Sequence, residues 1–154
     1  MCKAIGSIFE CIFGKKLNNR DLDDQIKLQK SIYLIENMGI RVGNYDFVWS
    51  KYGPYSPDLQ REILTAEYDQ EINFSNKMLE AIDFIKNILK ENSKYNDKEK
   101  LELIASLHFI KVCEYNSFIQ DKQVLEILLK RKKYLKYKQE NKKALEMVNR
   151  KIIL

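Results

Sequence analysis

The sequence predicts a mainly α domain with one short β-hairpin and a winged-helix-like first half. Three observations carry that expectation. Only five glycines and two prolines occur in 154 residues, so long stretches run without a helix breaker. Apolar residues return every three or four positions in one segment after another. A short β-branched and aromatic stretch from Ile40 to Trp49 surrounds Gly43-Asn44, a pair suited to a hairpin turn. Hydrophobic residues make up 45% of the chain, enough to build a core rather than a disordered coil.

Ile5, Ile8, Phe9, Ile12 and Phe13 recur at helical spacing and mark residues 1–19 as an amphipathic N-terminal segment. A secretory signal needs a longer apolar run and a small-residue cleavage site, and neither is present. The segment is expected to dock on the protein's own core, with a partner or a membrane surface as alternatives. Residues 20–154 read as a single mainly helical domain.

Asn18-Asn19-Arg20-Asp21 breaks the first helix and offers a cap for a second, from Leu22 to about Met38. Leu28, Ile32 and Ile35 form its inner face, Lys27 and Lys30 fall off that face, and Gly39 closes the C-terminus. Residues 40–42 and 46–49 are the expected strands. Ser56 is placed as an N-cap with Pro57 at the first helical position, Asp58 near the positive end of the dipole, and a helix to about Ala66. Met78, Ile82, Ile85 and Leu89 mark the next helix, which the polar residues 92–96 end. Residues 101–112 are apolar on almost every side and predict the buried central helix. A further helix starts near Asp121, and Leu145, Val148 and Ile152 face a last one inward.

Chemistry-bearing motifs are scarce. Cys2, Cys11 and Cys113 form no CxxC pair, and zinc would need all three to converge with His108, the sole histidine. Free thiols suit a reducing cytoplasm. No run of about twenty apolar residues offers a membrane span. The scattered glycines make no phosphate loop, and no cofactor signature is present. His108 and Cys113 are the only base and nucleophile worth pairing, but His108 lies between Leu107 and Phe109 and reads as a core residue. Asp23 with Asp24, and Glu99 with Glu102, read as helix-start acids complementing the dipole rather than as a catalytic pair. The expectation is a protein that is not an enzyme.

Two segments remain. Residues 49–58 hold both prolines, the only tryptophan and two of the nine tyrosines. Here Trp49 is expected to be buried, with Tyr52 and Tyr55 nearer the surface, and Tyr52, Tyr55 and Ser56 form the expected partner-binding set. The second segment is basic: Lys130, Arg131, Lys132, Lys133, Lys136, Lys138, Lys142 and Lys143 are opposed only by Glu140, with Tyr134 and Tyr137 interleaved. Such a tract binds phosphates with counterion release, and its tyrosines can stack on bases. It reads equally as a solvated helical face.

Three blocks in order carry a resemblance. They are Leu28-Gln29-Lys30 with Tyr33-Leu34, then Lys51-Tyr52-Gly53-Pro54-Tyr55-Ser56 with Leu59, then Leu101-Glu102-Leu103-Ile104-Ala105-Ser106-Leu107-His108-Phe109. The chain thereby resembles the YwgA-like group of small bacterial and archaeal proteins. More distantly it is similar to the SocA-like Panacea domain, the antitoxin or adaptor half of toxin–antitoxin pairs. The resemblance implies a mostly helical fold and a non-enzymatic binding role, and brings no catalytic residues. Such relatives often carry a proline near position 131. Arg131-Lys132-Lys133 stands here instead, implying that the last two helices run on more continuously.

With a net charge of +5 and a pI near 9.0, the leading expectation is a nucleic-acid-binding module, for DNA in preference to RNA. Lys130, Arg131, Lys132, Lys133, Lys136 and Lys138 would hold phosphates in it. The alternative is an antitoxin or adaptor that grips a protein partner, such as a toxin, through residues 49–58. The apolar first helix offers a contact for a homodimer.

Overall fold

The computed structural model describes residues 4–66 and 72–152. Among these the helices are α1 (Ala4–Phe13), α2 (Leu22–Asn37), α3 (Pro57–Leu64), α4 (Asn76–Lys90), α5 (Asp97–His108), α6 (Asp121–Arg131) and α7 (Lys138–Lys151). Strands β1 (Val48–Ser50) and β2 (Gly53–Tyr55) form one antiparallel hairpin between α2 and α3. The protein is therefore mainly α with a short hairpin. No helix of the described residues is long and apolar enough to cross a membrane.

Helix α5 is the centre. Leu101, Leu103, Ile104, Ala105 and Leu107 are all buried, and α2, α4, α6, α7 and β2 pack around it. Its start is a full capping box: Asn96 Oδ1 accepts from Glu99 N at 2.9 Å, and Glu99 Oε1 accepts from Asn96 N at 3.1 Å. Its end is less regular than the apolar run suggests, because residues Phe109–Glu114 continue as a π-helical turn. Helix α1 joins the same core through Ile5, Ile8, Phe9 and Ile12, lying against α4 and α2. Asp24 is buried at that junction, accepting Lys15 Nζ at 2.9 Å and Asn18 N at 3.0 Å.

The hairpin is displaced from its expected position. Residues 40–42 form no strand; the second expected strand begins at Val48 and pairs forward, through Lys51-Tyr52, with Gly53–Tyr55. The reason is local. The Glu36 carboxylate accepts from the backbone N–H groups of Val42 and Gly43, at 3.2 and 3.3 Å, and so takes donors a ladder would use. Gly43 serves close approach instead: a Cβ there would sit 2.5 Å from the Tyr45 ring.

The last two helices are also not continuous. α6 stops at Arg131 and α7 begins at Lys138, without a proline between them. Leu135 is buried, and Tyr137 N donates to the Tyr95 hydroxyl at 2.9 Å. Those contacts pin the connection to the core and break the helix there.

Candidate functional site

The block Lys51-Tyr52-Gly53-Pro54-Tyr55-Ser56 folds into a corner whose backbone is held from beneath by buried charges. Lys30 of α2 is only 1% exposed, and its ammonium donates to Pro54 O at 2.6 Å. Lys132, 2% exposed, donates to Lys51 O and lies 3.7 Å from Glu102 of α5. Glu102 in turn accepts the Tyr134 hydroxyl at 2.6 Å on both oxygens. One carboxylate thus faces two lysines, all three taken out of water. Burial pushes the Lys30 ammonium down to about 7, against the partial support of Glu102. Burial also lowers Lys132 and raises Glu102, each offset in part by the other.

Backbone geometry completes the corner. Gly53 has φ +88°, a conformation that costs a side-chain-bearing residue, and a Cβ there would lie 2.5 Å from Ser106 Oγ. The hairpin therefore rests directly on α5. Ser106 Oγ is buried without a hydrogen-bond partner, a polar atom enclosed by that close approach. Ser56 caps α3 by accepting from Leu59 N at 3.3 Å. Gln29 holds Ser56 on both sides, donating to its carbonyl at 2.9 Å and accepting from its N–H at 3.0 Å.

Above this base the corner presents a hollow of about 300 Å³. Tyr52 and Tyr55 of the corner form one wall; Leu22, Ile26 and Gln25 of α2, with Gln60 of α3, form the other. Both tyrosines are half-buried, while Leu22 is 52% exposed at the edge. The glutamines are tied to one another: Gln60 donates to Gln25 at 3.1 Å and Gln29 donates to Gln60 at 3.3 Å. The α2–α3 side is thus braced by hydrogen bonds within the chain.

Several sequence expectations change here. Ser56 is fully buried and acts as a cap, so it leaves the surface set with Tyr52 and Tyr55. Trp49 is half-buried rather than enclosed, its ring 5.8 Å from that of Phe109. The Arg131 guanidinium lies over Trp49 at 4.8 Å and the Lys132 ammonium at 5.0 Å. Lys132 is a structural cation, closed off from any phosphate. Arg131 is exposed but paired fork to fork with Glu114 at 2.7 and 2.9 Å, and that bond holds its pKa above the usual value. Lys130, Lys133, Lys136 and Lys138 are exposed, spread over the end of α6, the connection and the start of α7. Glu102 is not a helix-start acid but the buried counter-ion of the corner.

His108 and Cys113 do come near one another, through Tyr33. The Tyr33 hydroxyl is 2.6 Å from His108 Nδ1 and 3.6 Å from Cys113 Sγ. Burial lowers the His108 pKa to about 4, so the imidazole stays neutral at ordinary pH. Burial also raises the Tyr33 hydroxyl above its usual value. Tyr33 and His108 satisfy each other's buried polar atoms at the π-turn, while Cys113 beside them is exposed. Cys2 lies outside the described residues. Among the described residues no cluster of histidine, cysteine, aspartate or glutamate side chains is arranged to hold a metal ion.

One further hollow carries no sequence signal. About 450 Å³ lies between α4, α5 and α7, with Phe84, Ile88 and Met147 in its lining. Its charged lining is mixed, with Glu80 and Asp83 from α4 and Glu140, Lys143 and Arg150 from α7. Its lining is dispersed over three helices and the α4–α5 connection, so no local motif marks it.

The chain matches no family model, no curated protein and no solved structure.

Proposed function

We propose that this protein is a non-enzymatic binding module that grips a protein partner at the corner, with an apolar side chain of the partner seated between Tyr52 and Tyr55. The observation that carries this reading is the hollow of about 300 Å³ built on a backbone already fixed by Lys30, Lys132 and Gln29. A preformed site loses little entropy on binding, and half-exposed tyrosines are frequent anchors of protein interfaces. The resemblance to antitoxin and adaptor domains rests on the same residues and points the same way. The experiment is co-purification of the tagged chain with the product of the adjacent gene. Tyr52→Ala and Tyr55→Ala are expected to abolish the complex while leaving thermal unfolding nearly unchanged. A complex indifferent to both substitutions, or no complex with that product, overturns the reading.

A second reading, nucleic-acid binding, draws on the exposure of Lys130, Lys133, Lys136 and Lys138. It predicts retardation of a DNA duplex that weakens steeply with salt. Reversing the charge of Lys133 and Lys136 together should remove it. Absence of any shift at low salt ends it.

A further inference from the structure

Far from the corner in sequence, the chain leaves the π-turn through two consecutive left-handed residues that are not glycine, Asn116 at φ +47° and Ser117 at φ +65°. They close the preceding helix: Asn116 N donates to Val112 O at 3.0 Å and Ser117 N to Lys111 O at 2.8 Å. The following residue is thrown outward, and Phe118 is 90% exposed, more than any other large apolar side chain among the described residues. Phe118 itself forms part of the wall of a hollow of about 430 Å³, whose other lining residues are Tyr115, Ile119, Gln123, Glu126, Ile127 and Lys130. The last four form one stripe of α6, at helical spacing.

We infer that this face is the two-fold interface of a homodimer, with Phe118 of each copy seated in the hollow of the other. An exposed ring at the wall of an open hollow is self-complementary: two-fold pairing seats each Phe118 in the partner's hollow and against the partner's ring. Charge agrees with that arrangement. Glu126 and Lys130 lie four residues apart on the same stripe, and neither makes an ion pair among the described residues. When two copies of α6 meet antiparallel across the axis, Glu126 of one reaches Lys130 of the other, and the reverse. The stripe is neutral, so a chain of net charge +5 meets no local repulsion there. None of these residues lines the Tyr52 hollow, so the dimer leaves two corners open.

The test is sedimentation of the full chain from about 1 µM to about 500 µM, the range in which a small interface with one aromatic anchor per copy should associate. A reversible monomer–dimer equilibrium is expected. Phe118→Ala removes two buried rings per dimer, each worth about tenfold, and should weaken association about 100-fold with no loss of thermal stability. Glu126→Lys and Lys130→Glu should each weaken it, and the two together in one chain should restore it. A species that stays at the monomer mass throughout overturns the inference. So does a dimer untouched by Phe118→Ala, or a paired exchange that fails to restore association.

Discussion

Replacing Gly53 by alanine perturbs the point where the hairpin meets α5. Two costs arise. The φ of +88° places a Cβ-bearing residue in the left-handed region, at about 1–2 kcal/mol. The new methyl also lies 2.5 Å from Ser106 Oγ, an overlap of the kind that costs about 1–3 kcal/mol in a packed interior. Together they predict a loss of about 2–5 kcal/mol, which at a slope of about 2 kcal/mol per molar is a shift of roughly 1–2.5 M in the urea midpoint. A second background separates the two costs. In Ser106→Ala the hydroxyl is gone, and the remaining Cβ lies 3.7 Å away, an ordinary contact. There Gly53→Ala should cost only the backbone share, about 1–2 kcal/mol. Ser106→Ala alone should be neutral or slightly stabilising, since its hydroxyl has no partner to lose. The measurement is urea unfolding of the four proteins followed by circular dichroism. Equal costs of Gly53→Ala in both backgrounds refute the contact, and a cost below about 0.5 kcal/mol refutes the whole account.

Lys30 should make stability depend on pH. Its folded pKa near 7 lies below its unfolded value, so the unfolded chain holds more protons between about pH 7 and 10 and stability rises with pH in that window. Lys30→Met should flatten that rise in unfolding curves taken between about pH 7 and 9, and an unchanged slope counts against the assignment. Lys132→Met strips Glu102 of its nearest cation and should cost about 3 kcal/mol, while Lys133→Met, at the surface, should stay within about 0.5 kcal/mol; similar midpoints for the two variants contradict the buried role. As the only histidine, His108 gives an unambiguous proton NMR signal, which should titrate near 4. Its lowered pKa removes stability as pH falls from about 6.5 towards 4, and a midpoint near 6.5 would contradict its burial.

Features set by nearby residues were legible in the sequence. The starts of α2, α3 and α6, the Ser56 cap and the burial of residues 101–110 all follow from local spacing and capping chemistry. The hairpin was misplaced because its outcome depends on a side chain, Glu36, that competes for backbone donors from outside the segment. Nothing local marks Lys30 and Lys132 as buried, since lysine on a helix ordinarily faces water. Their acceptors, Pro54 O and Lys51 O, lie 24 and 81 positions away in the chain, beyond any local pattern. The tyrosines of the corner could be named, but not the α2 wall that makes them a hollow. Phe118 gave no signal either, because exposure of one aromatic is decided by the two left-handed residues before it.

The shared carboxylate of Glu102 has a consequence for synthesis. During translation α2 and the hairpin leave the ribosome well before Lys132 and Tyr134, which supply Glu102 with its nearest cation and its hydroxyl donor. Until those residues emerge, closing the corner would bury an under-neutralised acid, and loop closure across 81 positions must come first. The nascent chain therefore carries an unfinished corner until residues 132–134 have emerged, and the surface that faces the tyrosines matures only then.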